Sequence, residues 1–338
     1  MDKSEKTQFR RERLDRGIKA RTDTIYAIAS FRDMLYLILP RVLPLVLMVV
    51  LPLLLGEYWR KVVCYAAVYG LLALSWDFLG AIGLFSLGQA LFFGVGAYMA
   101  GALNLYFEWP IYYTLPAATL GGALFCTLLL TPVIRLKGVY FAMVTIVIPI
   151  LFSRTIVAGG IFGGTHGIVN LTPFKSDLLA EYLILFALIG CLFAFRRVIG
   201  EDYGLVMHAI RDDDRAVMSA GINIYWRKVQ ALFVASAVGC LAGAFMCHNY
   251  QFVGPSAFSL DYSLLPLAAA ALGGPGTFVG AVLGSAILIP LSEALRDFGG
   301  LRMVFYCLIL IASMILLPEG IFHYIARKYH QFERTVKI

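Results

Sequence analysis

Long, uninterrupted apolar stretches are the feature that most constrains the fold of this chain. Residues 37–56 and 139–158 are two examples, each with a single charged side chain. About 20 apolar residues in a helix cross the hydrocarbon core of a bilayer, and in lipid only α-helices and closed β-barrels satisfy every backbone polar group. Barrel strands are short and alternate apolar with polar residues, unlike these stretches. The sequence therefore predicts an all-α integral membrane protein.

Composition supports this prediction. Of the 338 residues, 60% are hydrophobic and 14% are charged, against about 45–50% and about 25% in typical soluble domains. The net charge of +7 lies mainly in the segments outside the apolar stretches, which indicates contact with anionic lipid and not with nucleic acid. The six cysteines lie in apolar stretches without a C-x-x-C pair, so neither a metal site nor a disulfide framework is predicted.

The apolar stretches predict a polytopic bundle of about ten (eight to ten) transmembrane segments. Residues 263–272 are too few to cross alone as a straight helix, so we expect a half-helix there. The sequence Gly273-Gly274-Pro275-Gly276 would break it, because glycine and proline destabilise helix interiors. The predicted segments are 37–56, 62–83, 89–107, 114–134, 139–158, 181–195, 229–248, 263–272, 277–293 and 303–317.

Lysine and arginine predict the orientation. They are enriched in the N-terminal tail, in residues 135–138 and 196–228, and in the C-terminal tail. The span count places all four on one side, and Lys- and Arg-rich segments stay in the cytoplasm. Both termini are therefore predicted to be cytoplasmic, with the loops 159–180 and 249–262 outside.

Three regions follow from this topology. The N-terminal tail is too long for the basic start of a secretory signal, and residues 37–56 are long enough to stay in the membrane. The predicted regions are a basic cytoplasmic tail (1–36), a transmembrane domain (37–320) with a charged cytoplasmic loop (196–228), and a cytoplasmic C-terminal tail (321–338).

Catalytic signatures are missing from the sequence. It contains no G-x-x-x-x-G-K-[ST] phosphate loop, no H-E-x-x-H zinc motif and no G-x-S-x-G nucleophile elbow, and its five histidines are scattered. The sequence therefore predicts neither an enzyme nor a chain that binds nucleotide through a phosphate loop.

The most informative part of the cytoplasmic loop is residues 204–228, GLVMHAIRDDDRAVMSAGINIYWRK. Helical spacing predicts a short helix, and Gly221 is well placed to end it in the left-handed conformation. Mixed charges and small residues suit docking of a soluble protein, although a solvated connector fits equally well. The candidate docking residues are Ile210, Arg211, Asp212, Asp213, Arg215, Ala216, Ala220 and Gly221.

Residues 209–223, A-I-R-D-D-D-R-A-x-x-x-x-G-I-N, resemble the cytoplasmic coupling loop of the branched-chain amino acid permease family of ABC importers. Five further segments resemble family motifs and follow in family order, so that the resemblance covers about residues 40–321. They are GLFSLGQALFFGVGAY (83–98), RLKGVYFAMVT (135–145), GGTHG (163–167), LGGPGTFVGAVLG (272–284) and LPEGI (317–321).

The resemblance implies a type II ABC importer-like permease in the bacterial inner membrane. Such a chain pairs with a homologous second permease, two ATPase subunits and an external substrate-binding protein. The chain itself would bind no cofactor, since ATP and Mg²⁺ belong to the ATPases. Residues 210–221 would form the coupling helix that docks on an ATPase.

Polar and flexible residues within the spans are candidates for the substrate pathway. An ionisable group inside a span is costly and usually faces protein or water. Asp77 therefore lines a pathway, lies at the membrane boundary or pairs with another helix. The amide of Gln89 could contact substrate or join two helices. The candidates are Asp77, Ser86, Gln89, Tyr140, Thr145, Gly273, Gly274 and Thr277.

Branched-chain or other hydrophobic amino acids are the first predicted cargo, and urea or a short amide is the alternative, because sister families share these motifs. A stand-alone secondary transporter is the rival from another class. It would need paired ionisable groups inside the membrane, and Asp77 is the only convincing candidate deep in a span.

Overall fold

The computed structural model describes residues 54–136, 138–296 and 320–324, the single positions 308, 311 and 315, and two short strands near the chain ends. These strands, β1 (Phe9–Arg13) and β4 (Glu333–Lys337), pair antiparallel. A second small sheet pairs β2 (Ile168–Val169) with β3 (Phe252–Val253). All other regular structure in the described part of the chain is helical.

Six of the described helices are long and apolar enough to cross a membrane. They confirm six of the predicted segments. The predicted segment 303–317, apart from positions 308, 311 and 315, and all but the last three residues of 37–56 lie outside the described residues. A total of about ten therefore stays a prediction. The six helices are α1 (Glu57–Ala81), α2 (Gln89–Phe107), α3 (Ile111–Leu130), α4 (Val139–Gly159), α5 (Asp177–Gly200) and α8 (Ile224–Tyr250).

The predicted broken segment is also present. Helix α9 (Asp261–Gly273) ends at the glycine run, and α10 (Val279–Ala294) begins after it. Gly274 and Gly276 both have positive φ angles, 110° and 83°, which glycine adopts without steric cost. The half-helix is confirmed, and its break lies where the sequence predicts it.

Helix α1 is the centre of the bundle, and 89% of an apolar 18-residue stretch within it is buried. It contacts α2, α5, α8, α9 and α10. At 1.5 Å per residue its 25 residues span about 37 Å, which separates two ends of the molecule. Gly83, just after α1, lies against Arg211 at what we name the charged end. The β2–β3 sheet, which follows α8, lies at the opposite end, named the loop end.

Candidate functional site: the paired helices of the charged end

The charged loop folds as two short helices instead of one. They are α6 (Asp202–Asp212) and α7 (Asp214–Ser219), and Asp213 between them has extended backbone angles of −152° and 104°. The Asp213 carboxylate caps α7, accepting hydrogen bonds from the backbone N–H groups of Arg215 at 2.8 Å and Ala216 at 3.4 Å. Aspartate favours such N-cap positions because its side chain satisfies the free N–H groups of a helix start. The prediction of one helix over 210–221 is therefore wrong.

The end of α7 matches the sequence prediction. Gly221 has a φ of +82°, and its N–H donates to the Met218 carbonyl at 2.9 Å. The next N–H, from Ile222, donates to the Val217 carbonyl at 3.4 Å. These bonds satisfy carbonyls that the helix end leaves free, so the left-handed stop predicted at Gly221 is confirmed.

One predicted docking residue is buried in the bundle. Ile210 is 2% exposed and packs in the main hydrophobic core together with Met207 and Val217. It therefore anchors the helix pair to the bundle and offers no surface to a partner. The remaining predicted docking residues are exposed: Arg211, Asp212, Asp213, Arg215, Ala216, Ala220 and Gly221.

Two further contacts join the helix pair to the spans. Lys228 of α8 forms a half-buried ion pair with Asp214 of α7 at 3.1 Å. On the other side, a Cβ atom added at Gly83 would lie 3.3 Å from the Cα atom of Arg211. Because Gly83 has no side chain, the connection between α1 and α2 can approach the backbone of α6. A cavity of about 300 Å³ lies between that connection and the helix pair.

Tyr203 and Arg227 connect α6 to the start of α8. The guanidinium carbon of Arg227 lies 5.4 Å from the centre of the Tyr203 ring, which is cation–π geometry. Burial raises the pKa of the Tyr203 hydroxyl above its usual range, and the charge of Arg227 offsets part of that rise. The tyrosine therefore stays neutral and serves as an aromatic contact.

Asp77 binds the break between α9 and α10. It is 1% exposed, and its carboxylate accepts from the backbone N–H groups of Gly276 at 2.6 Å and Phe278 at 2.9 Å. Two other predicted pathway residues, Gly273 and Gly274, form the break itself. Thr277 stabilises it further, because its hydroxyl donates to the Gly274 carbonyl and accepts from the Gly280 N–H.

A second group of predicted pathway residues surrounds the start of α2. The Thr145 hydroxyl accepts from the Leu87 N–H at 3.0 Å, and the Ser86 hydroxyl accepts from the Gly88 N–H at 3.1 Å. Gln89 is fully buried, and its carbonyl oxygen accepts from the Ser75 hydroxyl at 3.0 Å. The Gln89 amide nitrogen has no hydrogen-bond partner among the described residues.

Tyr140 belongs to neither group. Its side chain is 72% exposed on α4, the least buried of the six long helices. The predicted pathway residues thus form two buried groups and one isolated surface position. Whether any of them touches substrate stays a prediction.

Comparison with known proteins identifies the chain. A family described as "Branched-chain amino acid transport system / permease component" matches residues 59–316. The chain belongs to this family. The matched range includes five of the six segments on which the sequence resemblance rests, together with the helix pair of the charged end, so the resemblance is confirmed. This permease is a multi-pass membrane protein and a transporter component.

Three curated relatives of the permease are named as components of the same kind of system. The high-affinity branched-chain amino acid transport system permease protein LivM of Escherichia coli is 28% identical over 309 residues, covering 82% of this chain and 73% of the relative. LivM of Salmonella typhimurium shows the same identity and coverage. The probable branched-chain amino acid transport permease protein LivM of Methanocaldococcus jannaschii is 27% identical over 136 residues, covering 37% and 38%. No solved structure matches.

The family match leaves one group of side chains unassigned. Tyr58, Tyr65 and Tyr69 recur along α1 at intervals of seven and four residues, which places them on one face of that helix. All three line a cavity at the loop end of the permease, and their spacing is the sequence signal that could have located it.

Proposed function

We propose that this chain is a membrane-spanning subunit of an ABC importer that carries branched-chain or other hydrophobic amino acids. The family match over residues 59–316 is the observation that carries the proposal. Two relatives, aligned over 82% of the chain, are named for high-affinity transport of branched-chain amino acids. Their names are the basis for the cargo proposed here. The sequence has no phosphate-loop motif, so ATP and Mg²⁺ bind to partner ATPase subunits.

The assembly contains a homologous second permease, two ATPases and an external substrate-binding protein, in the inner membrane of a bacterium with membrane lipid around the spans. Both tails, residues 1–36 and 321–338, lie in the cytoplasm on either side of the transmembrane domain (37–320). The antiparallel pairing of β1 with β4 supports this orientation, because it holds the two tails on the same side.

The helix pair α6–α7 transmits motion from the ATPases to the spans. Its exposed Asp212 and Arg215 meet the ATPase, while Arg211 lies against Gly83 after α1. Asp77 near the end of α1 binds the break between α9 and α10. A rigid-body movement of the ATPases therefore reaches α1 through Gly83 and α8 through Lys228, and it continues from α1 to the broken segment through Asp77. Broken helices of this kind form the substrate sites of many transporters.

Native mass spectrometry of the complex tests the proposal. The chain is tagged at its native locus and extracted in mild detergent, and the complex is then reconstituted in liposomes with its binding protein. We expect two ATPases and a second permease in the complex, and ATP-driven uptake of leucine but not of urea. A chain that purifies alone, under conditions that preserve a known ABC importer, would overturn the proposal in favour of a stand-alone transporter.

A double substitution tests the docking surface. We expect Asp212→Ala with Arg215→Ala to weaken ATPase association and to lower uptake about tenfold, because loss of hydrogen bonds to charged groups costs about 1.5–3 kcal/mol. Membrane insertion and thermal stability should not change, since both side chains are exposed. Co-purification of the ATPase and leucine uptake are the measurements.

The matched control removes one acidic and one basic residue elsewhere in the same charged segment. Arg197 and Glu201 form an exposed ion pair at 2.7 Å, and exposed pairs contribute only about 0–1 kcal/mol. Arg197→Ala with Glu201→Ala should therefore retain ATPase association and uptake. Equal losses in the two double variants would show that α6–α7 is not the specific docking surface.

A further inference from the structure

Five tyrosines surround a cavity at the loop end, between α1, α8, α9 and α10. We name it the tyrosine cavity, and its tyrosines are Tyr58, Tyr65, Tyr69, Tyr250 and Tyr262. Its volume is about 720 Å³, within the range of about 300–1,000 Å³ that is typical of small-molecule sites. The cavity opens at the end of the molecule opposite the helix pair α6–α7, where a substrate from outside would arrive.

Charges of both signs line the tyrosine cavity. Lys61 on α1 and Asp261 at the start of α9 line it, together with Glu293 near the end of α10 and Arg296 just after that helix. Glu293 and Arg296 already pair with each other at 2.9 Å, and Tyr58 donates to Glu293. Lys61 is exposed, and no carboxylate among the described residues forms an ion pair with it.

The floor of the tyrosine cavity is a stack of three aromatic rings. Tyr69 and Tyr262 stack with ring centres 5.6 Å apart, and Phe93 stacks on Tyr262 at 3.9 Å. Apolar side chains, including Val62, Leu265 and Ile289, complete the lining. The cavity therefore offers an apolar and aromatic surface next to separate positive and negative charges.

Buried polar groups lie beyond this floor, towards the charged end. Ser75 follows Tyr69 by six residues on α1, about 9 Å along the helix, and its hydroxyl donates to Gln89 at 3.0 Å. The hydroxyl of Ser263, next to Tyr262, accepts from the Ala90 N–H at 3.0 Å. Buried polar groups thus follow the cavity tyrosines along α1 and α9, and among the described residues the Gln89 amide nitrogen has no hydrogen-bond partner.

We propose that the tyrosine cavity is a binding site for a zwitterionic amino acid with an apolar side chain. Lys61 binds the α-carboxylate, Asp261 and the tyrosine ring faces bind the α-ammonium, and the apolar lining receives the side chain. A neutral amide such as urea uses neither the opposite charges nor the apolar surface. This site rests on the proposed function and deepens it, because it gives the permease its own selectivity besides that of the external binding protein.

The test measures binding to the purified complex of permeases and ATPases in lipid nanodiscs, without the external binding protein. Radiolabelled L-leucine should bind, and leucinol, which lacks the carboxylate, should compete poorly. Lys61→Gln and Asp261→Asn should each weaken leucine binding about tenfold, which is ~1.4 kcal/mol. In Lys61→Gln, leucinol should compete as well as leucine, since the group that distinguishes them is gone. Lys175→Gln, in the loop before α5 and outside the cavity, should bind as the wild type does.

Two results would overturn the site while the proposed function stands. One is ATP-driven leucine uptake by the wild-type complex with its binding protein but no leucine binding without it. The other is unchanged leucine affinity and unchanged discrimination against leucinol in both cavity variants. Failure of the proposed function differs from both, because the wild-type complex would then take up no leucine even with the binding protein.

Discussion

Gly243→Ala is expected to destabilise the permease by about 3 kcal/mol, the upper part of the usual cost of overpacking a core. Gly243 lies where α8 crosses α2, and an added Cβ atom would lie 1.9 Å from the Phe93 carbonyl oxygen. That oxygen belongs to helix backbone, so no side-chain rotation relieves the overlap and the two helices must separate. Thermal unfolding in detergent, followed by the loss of monodisperse protein, measures the effect.

Gly190→Ala is the matched control on α5. Gly190 is exposed, and an added Cβ atom would meet nothing within 4 Å. In a helix without steric conflict, alanine is more favourable than glycine by about 1 kcal/mol. The two substitutions are chemically identical, yet they should shift the unfolding temperature in opposite directions. Equal shifts would mean that α2 and α8 do not approach as closely as the structure shows.

The spans and the broken segment could be predicted because they depend on local sequence. A continuous apolar run fixes a spanning helix without knowledge of its neighbours, and the predicted segment 89–107 coincides with α2. The break between α9 and α10 could be predicted as well, since residues 273–276 place three glycines and a proline in a row, and both residue types destabilise helix interiors.

Features that depend on distant parts of the chain could not be predicted. Asp77 binds backbone groups about 200 residues away in sequence, whereas sequence alone only slightly favoured a structural position, at the membrane boundary or paired with another helix, over a pathway role. Ile210 is among the predicted docking residues because the family resemblance begins the coupling helix there, but it is buried against the bundle. The break at Asp213 was missed because three consecutive aspartates offered no local reason to choose one of them as the cap.

Asp77→Ala is expected to destabilise the permease by about 2–4 kcal/mol, because it leaves one buried and one half-buried N–H group without their acceptor. A buried unpaired donor costs about 1–3 kcal/mol, and loss of a partly exposed hydrogen bond costs about 0.5–1.5 kcal/mol. The donors are the N–H groups of Gly276 and Phe278, which hold the break between α9 and α10 against α1. Phe278 precedes the first residue of α10. The substitution therefore also removes the favourable interaction between a carboxylate and a helix N-terminus. Thermal unfolding of the purified protein is the measurement.

Asp77→Asn serves as an intermediate variant for this loss of stability, and Asp177→Ala serves as an exposed control. Asparagine keeps one acceptor oxygen, so it should lose about half as much stability as alanine does. Asp177 is exposed in the first turn of α5, where an acidic side chain contributes only about 0.3–1 kcal/mol. Stability should therefore fall in the order Asp177→Ala, Asp77→Asn, Asp77→Ala.

The same variants separate the two roles that the sequence left open for Asp77. A structural role predicts that leucine uptake and unfolding temperature fall together, with asparagine intermediate in both. A pathway role predicts that uptake is lost while the unfolding temperature stays near that of the wild type. The geometry favours the first result, because both carboxylate oxygens already accept backbone hydrogen bonds. Loss of uptake in a fully stable Asp77→Asn protein would return Asp77 to the substrate pathway.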